Sequence, residues 1–189
     1  NTPSGALDPL DERRPLVVDE AYHEFLSGPT AMDLLAEFPN VLVMRTFSKA
    51  YGLAALRCGY AVASADLVNY MNRVRAPFNG NSLALVGALA ALEDQDFIQR
   101  SVAMNLEGRE RLTREFTALG LDVVPSHTNF LLVDFHRDGR EVFEDMMRRG
   151  VILRPMGGYG LPTSLRITIG TPQQNEALLE ATRGLLASS

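Results

Sequence analysis

The sequence predicts an α/β fold: a mainly parallel sheet in the first half, followed by a smaller α+β unit. Three observations carry that prediction. Short apolar runs in the first half end on polar or charged residues and alternate with helical segments, the pattern of buried parallel strands. A long charged helix at 96–119 interrupts the alternation. Beyond it, strands and helices follow one another with a different rhythm, which marks a second compact unit. The boundary falls at 93/94, giving domains 1–93 and 94–189.

After a Pro-Ser-Gly turn at 3–5, Leu16, Val17 and Val18 form an apolar run that ends on Asp19 and reads as a strand. Residues 30–38 carry apolar side chains at helical spacing, and Pro39-Asn40 stops them. Residues 41–44 form the next strand and 58–63 a third. A helix is predicted at 66–75, a loop at 77–81 and an almost wholly apolar helix at 82–92. Apolar on all sides, that last helix should be buried on most of them. In the second unit 122–124, 129–135, 151–154 and 164–169 read as strands, and 139–149 and 172–186 as helices.

The 189 residues suffice for one sizeable domain or two small ones. A net charge of -5 disfavours a nucleic-acid partner, which needs a basic face. Cys58 is the only cysteine, so the chain has no internal disulfide framework and fits a reducing, cytoplasmic setting. No apolar run approaches the ~20 residues of a membrane span. The chain opens on Asn1 rather than Met, and reads as a trimmed or partial polypeptide. His23, His127 and His136 lack metal-ligand spacing, and no metal is expected.

Chemistry concentrates between Thr46 and Arg57. Lys49 stands near the hydroxyls of Thr46 and Ser48, with Arg57 downstream. An amine that forms an imine beside a bound phosphate needs such neighbours: hydroxyls donate to phosphate oxygens, and a guanidinium grips the dianion through its planar fork. A surface lysine opening a helix is the plainer alternative. Asp19 sits at the C-terminal end of a strand, where open α/β sheets place ligand-binding groups. It can pair with a protonated ring nitrogen, or simply cap the helix that follows. Tyr22 is close enough in sequence to reach the same ring. Leu16 to Ala21 also resembles the Mg²⁺-binding strand of DEAD/DEAH-type ATPases, but no GxxxxGK[ST] loop accompanies it. In the second unit, Arg154 and Arg166 stand in apolar strands. An arginine there is costly unless an anion or a carboxylate pairs with it.

Taken together, the segments NTPSG, VVDEAYHEF, NVLVMRTFSKAYGLAALRCGY, SHTNFLLV, GVILRPMGGYGLP and SLRITIG resemble the fold-type I aminotransferases. Within them they resemble the histidinol-phosphate aminotransferases. The resemblance runs over nearly the whole chain but covers only the later half of such an enzyme. It implies the large domain of a pyridoxal-phosphate-dependent transferase in part, followed by the small C-terminal domain. Lys49 would bind the cofactor covalently, Asp19 would pair with its ring nitrogen and Tyr22 with its ring hydroxyl. Thr46, Ser48 and Arg57 would hold its phosphate. Arg154 and Arg166 would hold the anionic end of the substrate. The family has asparagine directly before the opening proline; here Thr2 occupies that place and Asn1 precedes it, so Asn1 is the displaced candidate for the ring contact. The run 5–19 is also shorter than the family pattern.

The implied reaction moves an amino group between histidinol phosphate and 2-oxoglutarate, yielding glutamate, in histidine biosynthesis. The implied assembly is a homodimer, with small-molecule substrates and no nucleic-acid or membrane partner. Little activity is expected from the chain without the missing half. An aromatic aminotransferase and a threonine-phosphate decarboxylase are alternatives on the same scaffold. From other classes stand the ATPase reading and a non-catalytic fragment.

Overall fold

The computed structural model describes residues 14–188. The predicted turn at 3–5, Thr2 and Asn1 lie outside them. The chain divides into two compact units, the first ending at Gln95 and the second running from Asp96.

In the first unit β1 (Leu16–Asp19), β2 (Val41–Thr46) and β3 (Gly59–Ala63) form a 3-stranded sheet in that order. β1 and β2 are parallel, with Leu16 opposite Val41 and Asp19 opposite Met44. β2 and β3 are antiparallel, with Thr46 opposite Gly59, so the described part of the α/β sheet is mixed, one pair parallel and one antiparallel. The connections explain the difference. Residues 20–40 form a crossover long enough to return the chain to the same end of the sheet. Residues 47–58 hold only the short 3-10 turn Ala54–Leu56, and the chain comes straight back.

The segment predicted as a helix at 30–38 is a 3-10 helix, Ala31–Ala36, whose first turn is capped by the Thr30 hydroxyl accepting from the Met32 N–H. Between that cap and Pro39 there is too little chain to offset the cost of nucleating an α-helix. Helix α1 (Ala65–Val74) and helix α2 (Ser82–Glu93) follow, α2 capped by Asn81. The expected burial of α2 on most sides is not found. Only Ala84 and Ala88 are buried, while Leu83, Val86 and Leu89 are each at least 66% exposed. The described neighbours reach one narrow stripe of small residues and leave the remaining apolar surface open.

The second unit opens with α3 (Gln95–Ala118) and closes with α5 (Pro172–Ala187). Between them β4 (Asp122–Val124), β5 (Phe130–Asp134), β6 (Arg154–Pro155) and β7 (Ser164–Thr168) form a 4-stranded antiparallel sheet in the order β4-β5-β7-β6. Helix α4 (Gly139–Arg148) links β5 to β6. The predicted strand at 151–154 shrinks to Arg154–Pro155. Val151 spends its N–H on the Met146 carbonyl at the end of α4, and Pro155 has none to give.

Strand alternation divides this sheet into two faces. Leu131, Val133, Leu165 and Ile167 point into the core against Phe116 of α3, Met146 of α4 and Leu179 of α5. At the start of α5, Thr171 and Gln174 form a reciprocal capping box, with Pro172 in the first turn, so the helix begins with its free N–H groups satisfied. No helix among the described residues is long and apolar enough to cross a membrane.

Two stability changes follow from this packing. Leu131→Ala should lower the unfolding free energy of the second unit by about 2–5 kcal/mol, because a fully enclosed leucine leaves a cavity. Thr171→Ala should cost about 1 kcal/mol through the lost cap. Urea denaturation followed by far-ultraviolet circular dichroism checks both.

Candidate functional site

The register of β1 on β2 builds the floor of the site. Asp19 ends β1 beside Met44, and β2 runs on into the loop that carries Ser48 and Lys49. The loop is anchored from beneath. Phe47 is buried, its ring 5.0 Å from that of Tyr51 and 5.7 Å from that of Tyr60. Its N–H donates to the Cys58 carbonyl at 3.1 Å, and its carbonyl accepts from the Leu53 N–H at 2.9 Å. The turn closes where Gly52 donates to the Lys49 carbonyl, with Gly52 at φ 71, a conformation that favours glycine.

Asp19, Thr46, Ser48, Lys49 and Arg57 all line one cleft of about 590 Å³. One Asp19 oxygen accepts from the Ala21 N–H at 3.0 Å, and its second oxygen has no hydrogen bond among the described residues. The Lys49 amine lies 5.1 Å from the centroid of the Tyr22 ring, so Tyr22 joins the group. Arg57 has left-handed backbone, φ 53, which is strained for a residue with a side chain. Its guanidinium donates to the Ala54 carbonyl at 3.0 Å and pairs with no carboxylate among the described residues. Thr46 is partly committed: its hydroxyl accepts from the Ser48 N–H at 3.1 Å and donates to the Cys58 carbonyl at 3.4 Å. The second of these is long enough to yield to an incoming anion. Opposite Thr46, a Cβ on Gly59 would stand 2.8 Å from the Arg45 carbonyl, so only glycine lets β3 approach here.

The structure adds a network not singled out from the sequence. The Glu20 carboxylate accepts from Arg45 Nε at 3.0 Å, Arg45 Nη2 at 2.8 Å, the Thr30 hydroxyl at 3.0 Å and the Ala31 N–H at 2.6 Å. Burial pushes the Glu20 carboxyl up, but the Ala31 N–H, Arg45 and Thr30 together hold it below the usual carboxylate range. Next to it, burial raises the Glu24 carboxyl against the pull of its own N–H, His23 and Arg45. The available signal in the sequence was the pair of opposite charges, Glu20 and Arg45, each flanking an apolar strand run.

In the second unit Arg154 and Arg166 are direct neighbours across β6 and β7. They stand on the sheet face opposite the core residues. Arg154 donates to the Tyr159 hydroxyl at 3.0 Å, and the Arg166 guanidinium lies 4.9 Å from the Phe130 ring centroid. The alternative of an internal Arg–carboxylate pair is not realised: neither arginine has an acidic partner among the described residues. Two adjacent cations held against aromatic rings form a ready receptor for an anion.

Comparison with known proteins sets these features in a wider frame. The model of the family "Aminotransferase class I and II" matches residues 8–181. That match includes the segment Leu16 to Ala21 and sets aside its ATPase reading. Histidinol-phosphate aminotransferase 1 of Nitrosococcus oceani is 48% identical over 183 residues, covering 95% of this chain and 50% of that protein. Histidinol-phosphate aminotransferase 2 of Pseudomonas aeruginosa is 50% identical over 175 residues, covering 91% and 47%. The crystal structure of histidinol-phosphate aminotransferase from Sinorhizobium meliloti, in complex with pyridoxal-5'-phosphate, superposes with a TM-score of 0.87 at 32% identity. It covers 95% of this chain and 50% of that one. The chain thus spans about half the length of the curated relatives it matches.

The two neighbouring glutamates should respond oppositely to pH. Glu20, lowered in the folded state, contributes stability above its ordinary range and loses it as pH falls through the lowered value. Glu24, raised, costs stability as pH rises through the interval between its ordinary and raised values. Thermal melts at pH 4 and pH 8 should show Glu24→Gln stabilising the protein at the higher pH and much less at the lower. Glu20→Gln should destabilise at the higher pH, with the gap narrowing on acidification.

Proposed function

The chain belongs to the class I and II aminotransferases, and on that premise we propose that it is part of a histidinol-phosphate aminotransferase, carrying its lysine loop and anion-binding groups. What supports this most is the convergence of Asp19, Ser48, Lys49 and Arg57 on one cleft. The donor set suits pyridoxal phosphate: an acid that keeps one oxygen unbonded among the described residues, an amine, a hydroxyl and a guanidinium with no carboxylate partner among them. The names of the relatives supply the substrate, and glutamate with 2-oxoglutarate the second pair.

When bound, pyridoxal phosphate supplies an electron-accepting ring that stabilises negative charge at the substrate carbon. Asp19 would keep the ring nitrogen protonated through the carboxylate oxygen that Ala21 does not use. Tyr22 donates its hydroxyl to the ring oxygen, and Asn1 is a further candidate for that contact. Ser48 and Arg57 bind the phosphate, and Thr46 joins them by giving up its long bond to Cys58. Lys49 holds the cofactor through its amine. With its amine free, Nζ would take the proton from the substrate carbon as base and return a proton as acid. Arg154 and Arg166 bind the anionic end of the substrate, carboxylate or phosphate. A homodimer in the cytosol goes with this reading, because fold-type I enzymes complete their sites from two subunits and Cys58 is the only cysteine.

The test uses a polypeptide spanning the full length of the relatives. Borohydride reduction after loading with pyridoxal phosphate should label the peptide that contains Lys49, and a label elsewhere would sink the assignment. Lys49→Ala should slow turnover by about 10²–10⁴-fold, the usual worth of a general acid–base. Arg166→Ala should raise KM by about 10–100-fold, as loss of a charge-assisted contact does. Turnover should favour histidinol phosphate over phenylalanine and threonine phosphate; any other order moves the reading to an aromatic aminotransferase or a decarboxylase.

A further inference from the structure

The site residues sit where the β1–β2 ladder ends. β1 stops at Asp19, while β2 runs on through Arg45 and Thr46, which pair there only with Tyr60 and Gly59 of β3, so the β1 side of the ladder is the open one. The last backbone tie is the Glu20 N–H donating to the Met44 carbonyl at 2.9 Å. Strand ends of this kind fray unless something beyond the ladder holds them.

Glu20, which makes that tie, and Arg45 directly follow the last residues in register, Asp19 and Met44. By alternation they point away from the face that carries Asp19 and Met44. Their side chains are only 11% and 18% exposed, and both guanidinium contacts fall on a single carboxylate oxygen. The other oxygen takes the Ala31 N–H, and Thr30 bridges the pair by donating to Glu20 and accepting from Arg45 Nη2 at 2.9 Å. Both carboxylate oxygens and the Nε and Nη2 of the guanidinium are therefore matched, as a largely buried ion pair requires. Glu20 directly follows Asp19, and Arg45 directly precedes Thr46 and the lysine loop.

We propose that Glu20 and Arg45 are positioning residues: their ion pair clamps the open end of the β1–β2 ladder and thereby sets Asp19 and Tyr22 against Lys49. Neither is a catalytic residue, since both act through the backbone of the segments they join. The consequence for cofactor geometry rests on the functional reading above. The clamp itself does not.

Hydrogen exchange in the cofactor-free protein separates the two. In Glu20→Gln, exchange at 19–22 and 46–49 should rise at least about tenfold more than at Val41–Val43, the centre of β2. Arg45→Gln should give the same pattern, and the double variant should add little to either single one, as partners in one interaction behave. Arg45→Lys keeps the charge without the fork. It should loosen the same segments by less, and it serves as the measurement should a glutamine variant fail to fold. A uniform rise that includes Val41–Val43, or none at 46–49, would overturn the clamp and leave the pair a general contribution to stability. Borohydride labelling of the parent protein is read separately: failure to label Lys49 sinks the functional reading, while the exchange pattern still decides the clamp.

Discussion

The parallel register of β1 on β2 is the constraint on which the first unit depends. Val41 and Val43 are wholly buried, and a slip of one residue would turn them toward the opposite face. Held in place, they align Asp19 with Met44 and bring an acid from one segment beside a lysine loop from another. The cleft is a product of this alignment more than of any single side chain.

The loop after β2 is built for rigidity. Phe47 plugs it from below, Gly52 turns it, and Gly59 lets β3 pass close to Arg45. Arg57 is held in left-handed backbone, a local cost that survives only because the surrounding bonds fix it. That stiffness suits the proposed site, whose amine would stand at a set distance from a ring and a phosphate. The outer face of the second sheet follows a similar economy. Its inner face is packed by three helices, which leaves Arg154 and Arg166 side by side with aromatic neighbours and no acid among the described residues.

Much of this was legible in the residues. The apolar runs at 16–18 and 41–44 located β1 and β2, and Asp19, Ser48, Lys49 and Arg57 were candidates before their convergence was visible. The helix predicted at 172–186 was equally plain, α5 running from Pro172 to Ala187. Less legible was the direction of β3, which depends on the absence of a helix in 47–58 rather than on anything in β3 itself. The 3-10 form of Ala31–Ala36 arose from the short span between its Thr30 cap and Pro39, and β6 shortened because Val151 spends its N–H on the Met146 carbonyl. Helix α2 reads as buried because its sequence is apolar on all sides, yet the described chain covers only Ala84 and Ala88. Periodicity reports a demand for burial but does not supply the surface that meets it.

By itself, then, the sequence determined the chemistry: an amine among hydroxyls, an acid at a strand end, a downstream guanidinium and two arginines in apolar strands. Those are properties of residue type and spacing, which the chain carries before it folds. Only the tertiary structure decided that the first groups share one cleft, that Arg154 faces Arg166, and that Glu20 and Arg45 close the end of the ladder. Each of those depends on strand register and on pairing between remote segments. Local propensity carries no information about either, because the bonds that choose them form only when the segments meet.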